Sequence, residues 1–169
     1  MSLAREKPYD VIAVKEILGR ANVGRSTFYA HFHDKNELLE SGIYEVLGST
    51  HDRRPARGGV NELLAFSRAI LDYIAEHRRC GATMPRDGRV DMHARLQAVL
   101  TSRICDNLAA LSGRQPAPAI SIDLLARHIA ATFVLVLNWW VETDAKLMAA
   151  EVDDRFRALV LPVLTAVRQ

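Results

Sequence analysis

The stretch from Ile129 to Val141 is apolar on nearly every side of a helix, interrupted only by Thr132 and Asn138. An ordinary surface helix carries one apolar stripe, whereas a helix apolar all round has to be covered on all sides. At 13 residues the run is too short and too polar to span a bilayer, so the cover has to be protein. One side of this helix is expected to meet its own domain, and the other a second copy of the chain.

No segment shows the period-two alternation of a strand, and the expected fold class is all-α. Leu3 to Lys7 is helical in composition and stops at Pro8. Val14 to Ala21 and Arg25 to Phe32 read as two short helices separated by Asn22-Val23-Gly24. Asp34 then opens a longer helix whose free amides it can cap, with Glu37 in a capping-box-like position. Leu38, Leu39, Ile43, Val46 and Leu47 give that helix its apolar stripe. The polar segment His51 to Gly59, with Pro55 and a glycine pair, is the clearest break. It divides the chain into a small module, residues 1–50, and a larger one, residues 51–169.

In the larger part, Val60 to Arg79 reads as one helix with Leu63, Ser67, Ile70 and Ile74 along a face. Val90 to Leu111 carries Met92, Leu96, Leu100, Ile104 and Leu108 at four-residue spacing. Ser121 is expected to cap the apolar helix, which runs to about Thr143. A final amphipathic helix covers Ala150 to Arg168, with Pro162 inside it removing a backbone donor and expected to kink it.

Hydrophobic residues make up 49% and charged residues 25% of 169, the balance of an ordinary globular chain, long enough to bury a core without metal or disulfides. With 22 basic and 20 acidic side chains the net charge is +2, so any nucleic-acid surface must come from local placement. Cys80 and Cys105 form no CxxC pair and fit a reducing compartment as small apolar residues. The N-terminus does not resemble a signal peptide. A cytoplasmic protein with no membrane partner is expected.

The segment 9–39, YDVIAVKEILGRANVGRSTFYAHFHDKNELL, carries the functional signal. Two short helices joined by a three-residue turn let the second enter a DNA major groove. The turn needs a residue tolerant of positive φ, and Asn22 is one of the few besides glycine that serve. Ile17, Val23 and Phe28 are expected to form the core behind the second helix. Arg25, Ser26 and Thr27 would then face base edges, and Tyr29, His31 and Lys35 would reach phosphates, which position a protein without reading sequence.

The wording of this segment, Ala21-Asn22-Val23-Gly24-Arg25-Ser26-Thr27-Phe28-Tyr29-Ala30-His31-Phe32 followed by Asp34-Lys35 and Glu37-Leu38-Leu39, resembles the DNA-binding module of the tetracycline-repressor (TetR) family. The resemblance implies a three-helix helix-turn-helix module and a helical ligand-binding and dimerisation domain. It also implies a homodimer on double-stranded DNA that answers to a small-molecule effector, most simply as a repressor on a palindromic operator. Pairing through the last two long helices, which the resemblance also implies, agrees with the all-round apolar helix. The chain departs from the family's habit in several places. Only Met1 to Lys7 stands where a full first helix is usual, and Met1-Ser2-Leu3 reads as a cloning remnant, so an earlier natural start is expected. Ala13 replaces a frequent capping threonine, a loss typically of ~1 kcal/mol. Leu18 replaces a frequent small residue.

Phe133, Leu137, Trp140, Phe156, Val160 and Val163 are the expected dimer interface. Phe66, Tyr73, Cys80, Met92, Leu96 and Phe133 are pocket candidates, although such residues more often fill a core. His31-Phe32-His33-Asp34 reads as phosphate-reaching and solvated residues rather than a metal site. Glu151, Asp153 and Asp154 read as acidic residues favoured in a helix's first turn. Arg53, Arg54 and Arg57 read as a solvated loop. No catalytic, cofactor or nucleotide-binding motif stands out, so no enzyme activity, cofactor or metal is expected. The rival readings are a helical sensor that has lost DNA binding and an all-helical enzyme using the same cavity.

Overall fold

The computed structural model describes residues 3–7, 11–48, 59–79, 89–112, 120–143 and 146–166. The described residues form helices and no strands: α1 (Leu3–Glu6), α2 (Val14–Ala21), α3 (Arg25–Tyr29), α4 (Lys35–Gly48), α5 (Val60–Leu63), α6 (Ala65–Arg79), α7 (Arg89–Ser112), α8 (Ile122–Glu142) and α9 (Ala149–Ala166). Val14–Ala21 has the expected bounds, most other helices agree to within a residue or two, and α3 ends at Tyr29 rather than at Phe32. Arg53, Arg54, Arg57 and Cys80 lie outside the described residues.

The expected apolar helix is α8, and it lies at the centre of the core, packed between α7 and α9. Ser121 caps it, accepting a hydrogen bond from the Leu124 amide at 3.2 Å. At 21 residues α8 is long and apolar enough to cross a membrane by length and composition alone, yet half of its most apolar stretch is buried inside the subunit. Phe133 meets Phe66 of α6 and Phe156 of α9 edge-on, with centroids 5.3 Å apart in each pair, and Phe66 and Phe156 are 6.0 Å apart. Such geometry adds quadrupole attraction to the burial of three rings. Trp140 is buried and donates its indole N–H to the Leu147 carbonyl at 3.2 Å, closing the α8–α9 connection.

This packing corrects the expected interface. Phe133, Leu137, Trp140, Phe156 and Val160 are buried in the subunit's own core, and Val163 is half-buried against it. Side chains enclosed by their own subunit cannot also face a partner. The apolar residues left over are Leu124, Leu135 (65% exposed) and Trp139 (40%) on α8, with Leu159 and Leu161 on α9. Of the pocket candidates, Phe66, Leu96 and Phe133 are packed in the core, and Tyr73 and Met92 are half-buried.

The single helix expected over 60–79 is broken at Leu64 into α5 and α6. Ser67, fully buried, donates its hydroxyl to the Leu64 carbonyl at 2.7 Å and also meets the Asp153 carboxylate. Asp153 is paired with Arg157 at 2.8 Å, so it is a buried member of a network rather than a solvated first-turn acid.

Truncating a ring in a filled cluster loses its transfer energy and leaves a cavity. Phe156→Ala is expected to lower unfolding free energy by about 3–5 kcal/mol, measured by urea denaturation followed by circular dichroism.

Candidate nucleic-acid interface

The N-terminal helices owe their positions to a small core and a set of polar ties. Ile12, Leu18 and Phe28 are buried and Ile17 is half-buried, while Val23 is 40% exposed. The expected core residue Val23 is thus on the surface. Leu18 and Ile12 are buried instead, so the large side chain at position 18 is accommodated inside the module. Phe28 is flanked by Tyr29 and Phe32, with centroids 5.3 and 5.6 Å away.

The turn between α2 and α3 follows the expected chemistry. Asn22 adopts a left-handed conformation, φ 53 and ψ 45, and its amide donates to the Leu18 carbonyl. A left-handed residue just past a helix end satisfies carbonyls that the helix leaves open. Val23 also donates to Leu18, at 3.1 Å. Gly24 is extended and starts α3.

Ala13 has no capping side chain, but the cap is not wholly lost. The Glu16 carboxylate accepts from the Ala13 amide at 2.9 Å, one half of a capping box. Glu16 also pairs with Lys7, and Arg20 pairs with Glu6 at 2.6 Å, so one half-buried and one exposed ion pair tie the end of the short α1 to α2. The Lys7 hydrogen bond and the Ala13 amide hold the Glu16 carboxyl below its usual value.

At the start of α4, Asp34 accepts from the amides of Glu37 (2.9 Å) and Asn36 (2.7 Å), the expected cap. Glu37 does not reach back to Asp34. Its carboxylate accepts from the His33 amide at 2.6 Å and lies 2.7 Å from the His33 Nδ1. The Asp34 carboxyl is held below its usual value, chiefly by the Glu37 amide, and the Glu37 carboxyl chiefly by the His33 amide.

These ties leave one face open. Arg25, Ser26 and Thr27 are exposed on the first turn of α3, with Phe28 buried behind them. Tyr29 and His31 are exposed at its far end. α3 stops at Tyr29, and a turn follows in which Phe32 donates to the Phe28 carbonyl at 2.9 Å. Lys35 differs from the others. It is half-buried, and its ammonium donates to the Ile12 carbonyl at 3.1 Å, pinning the segment before α2 to the start of α4.

α4 carries this face into the larger body. Leu47 is fully buried in the main core. Arg95 of α7 pairs with Glu40 at 3.1 Å, and Arg103 of α7 donates to the Leu47 carbonyl at 3.3 Å. Burial pushes the Arg103 guanidinium below its usual value, with Tyr44 opposing. Sequence reading missed both arginines, although each flanks the apolar stripe of α7 one residue before Leu96 and Ile104. Among the described residues no His, Cys, Asp or Glu cluster has a metal-binding arrangement.

Residues 1–41 match the model of bacterial regulatory proteins of the tetR family, and residues 61–161 match that of a transcriptional regulator C-terminal region. The chain belongs to the TetR family. As a TetR protein it is a DNA-binding transcriptional regulator. Solved structures share the fold. A TetR transcriptional regulator from Streptococcus agalactiae 2603V superposes with a TM-score of 0.58 at 24% identity, over 94% of this chain and 87% of that one. A TetR-family regulator from Syntrophomonas wolfei gives 0.57 at 19% identity, over 96% and 89%. No curated protein matches the chain.

The lowered carboxyls of Glu16, Asp34 and Glu37 set an acid dependence. A carboxyl depressed by folding contributes stability that is complete above its unfolded value and disappears as pH falls through its folded one. The N-terminal helices are therefore expected to loosen as pH drops below about 4, ahead of α8. Amide exchange followed by NMR across residues 13–40 and 125–140 checks this, and simultaneous loss in both segments would contradict it.

Proposed function

We propose that this TetR-family protein is a ligand-responsive repressor that binds a palindromic operator as a homodimer in the cytoplasm and is released by a small apolar or amphipathic molecule. The supporting observation is the open first turn of α3, whose polar side chains point to solvent while Phe28 anchors the helix from behind. Side chains at the start of a recognition helix are those that reach base edges. Arg25, Ser26 and Thr27 take that role, and Tyr29 and His31 contact phosphates, as does Lys35 from its seat against the Ile12 carbonyl. Residues 1–50 then act as the reading head and residues 51–169 as the sensing and pairing body.

Pairing through α8 and α9 remains the reading, moved to the residues that the subunit leaves uncovered. Leu135 and Trp139 with Leu159 support it, because apolar surface gathered on neighbouring helices marks an interaction site. Tyr73 and Met92, half-buried at the edge of the core, are the retained pocket residues. The effector must bind two conformations of the dimer unequally, since only differential affinity shifts their populations.

Arg25→Ala is expected to cost about 1–3 kcal/mol at one operator position if the guanidinium reads guanine. Lys35→Ala is expected to weaken binding to every sequence and to flatten the salt dependence by roughly one unit of slope. Anisotropy titrations on a duplex selected from random DNA, and on a scrambled one, separate the two. Equal losses on both duplexes for both variants would show that the roles are not divided.

Leu135→Arg places a charge on the proposed pairing face without entering the core. Light scattering is expected to give a dimer for the unaltered chain and a folded monomer for the variant. A monomer at micromolar concentration before substitution would rule out the dimer.

A further inference from the structure

Residues 60–79 contain no glycine or proline, and their period is that of one helix, yet the structure breaks them at Leu64. Leu64 has φ −96 and ψ 4, a modest turn away from helical values of about −63 and −42. In a continuous helix the Ser67 amide would donate to the Leu63 carbonyl. Here it donates to Leu64, at 3.1 Å. Ala65 and Phe66 thereby become the first residues of a new helix, whose leading amides have no acceptor one turn back within it.

Within the segment itself the Ser67 hydroxyl meets the break, at the Leu64 carbonyl, and the other groups that hold it come from α9. Arg157 donates to the Leu64 carbonyl at 3.3 Å, to Asn61 of α5 at 3.3 Å and to Asp153 at 2.8 Å. The single hydroxyl hydrogen of Ser67 lies between the Leu64 carbonyl and the Asp153 carboxylate. Asp153 is only 7% exposed, and in such surroundings a polar network is strongly held when complete and costly when broken.

We propose that Asp153 and Arg157 form a latch by which α9 imposes the break between α5 and α6, and that release of the latch lets residues 60–79 close into one helix. α6 packs against both α9 and α4, so the latch connects the helix bearing Leu159 and Leu161 to the helix that carries the reading head. Its consequence for DNA rests on the proposed function; the break itself does not.

The test uses full-length protein and three variants. Asp153→Asn alone leaves the guanidinium uncompensated, so Asp153→Asn with Arg157→Met removes both charges. Ser67→Ala leaves the ion pair in place and removes only the hydroxyl. Amide exchange is read by NMR at Ala65, Phe66 and Ser67 and across residues 43–48. Ala65 and Phe66 are expected to slow by about tenfold in the double variant as each gains an acceptor one turn back. Ser67, which already donates to Leu64, exchanges one acceptor for another and serves as the internal reference. Smaller slowing is expected in the single variants, with altered exchange in residues 43–48. A group that merely stabilised the fold would move exchange the other way. Unchanged or faster exchange at Ala65 and Phe66 overturns the latch, and no DNA binding is needed to see it.

Discussion

The edge-on packing of Phe133 against Phe66 and Phe156 ties α6, α8 and α9 at one point, and the larger body is arranged around it. With the rings in the centre, α8 turns its Phe133 side inward and carries Leu135 and Trp139 outward. The helix has more apolar surface than one subunit can cover. Phe66 and Phe156 each lie within three residues of Ser67, Asp153 or Arg157, so the same packing that fixes the rings brings the polar network into register.

The reading head is held by different physics. Among its described residues before α4, Ile12, Leu18 and Phe28 are the buried apolar side chains, with Ile17 partly enclosed. The rest of its organisation comes from carboxylates that accept backbone amides and from partly or fully exposed ion pairs between the end of α1 and α2. Exposed pairs contribute little each, typically under about 1 kcal/mol, whereas one buried ring contributes several times that. The two parts of the chain are therefore expected to respond differently to acid and to salt.

Much of this was legible in the sequence because it is written locally. Helix period, the Asp34 and Ser121 caps and the left-handed Asn22 each follow from a few adjacent residues. What was not legible depends on partners far along the chain. Ser67 and Asp153 are 86 residues apart, and no local pattern tells a helix that its carbonyl at Leu64 will be taken by Arg157. The misplaced interface has a related cause. An all-round apolar helix announces that it must be covered, but not which of its sides its own subunit covers, and Phe133 and Leu137 turned out to face inward. Val23 has a simpler reason: residue type alone says core for a valine, whereas its place in the turn between two helices leaves it exposed and Leu18 and Ile12 are the buried residues.

Arg25, Ser26 and Thr27 are exposed, as the proposed reading surface requires, since a side chain committed to its own protein is not available to a base edge. The cost of leaving them open is met by the residues behind and beside them: Phe28, the Asn22 turn and the Lys35 tie to Ile12. The direction in which they point is set further away, where Glu40 and Leu47 of α4 are held by Arg95 and Arg103 of α7. A helix seated in the main core at one end and carrying the head at the other has little freedom to move alone. Any rearrangement that repositions α6 or α7 must either carry α4 with it or break those contacts. By linkage, DNA that favours one setting of α4 biases the packing of the larger body by the same free energy. On the proposed function, that coupling follows from how α4 is seated, and it requires no contact between α3 and the core.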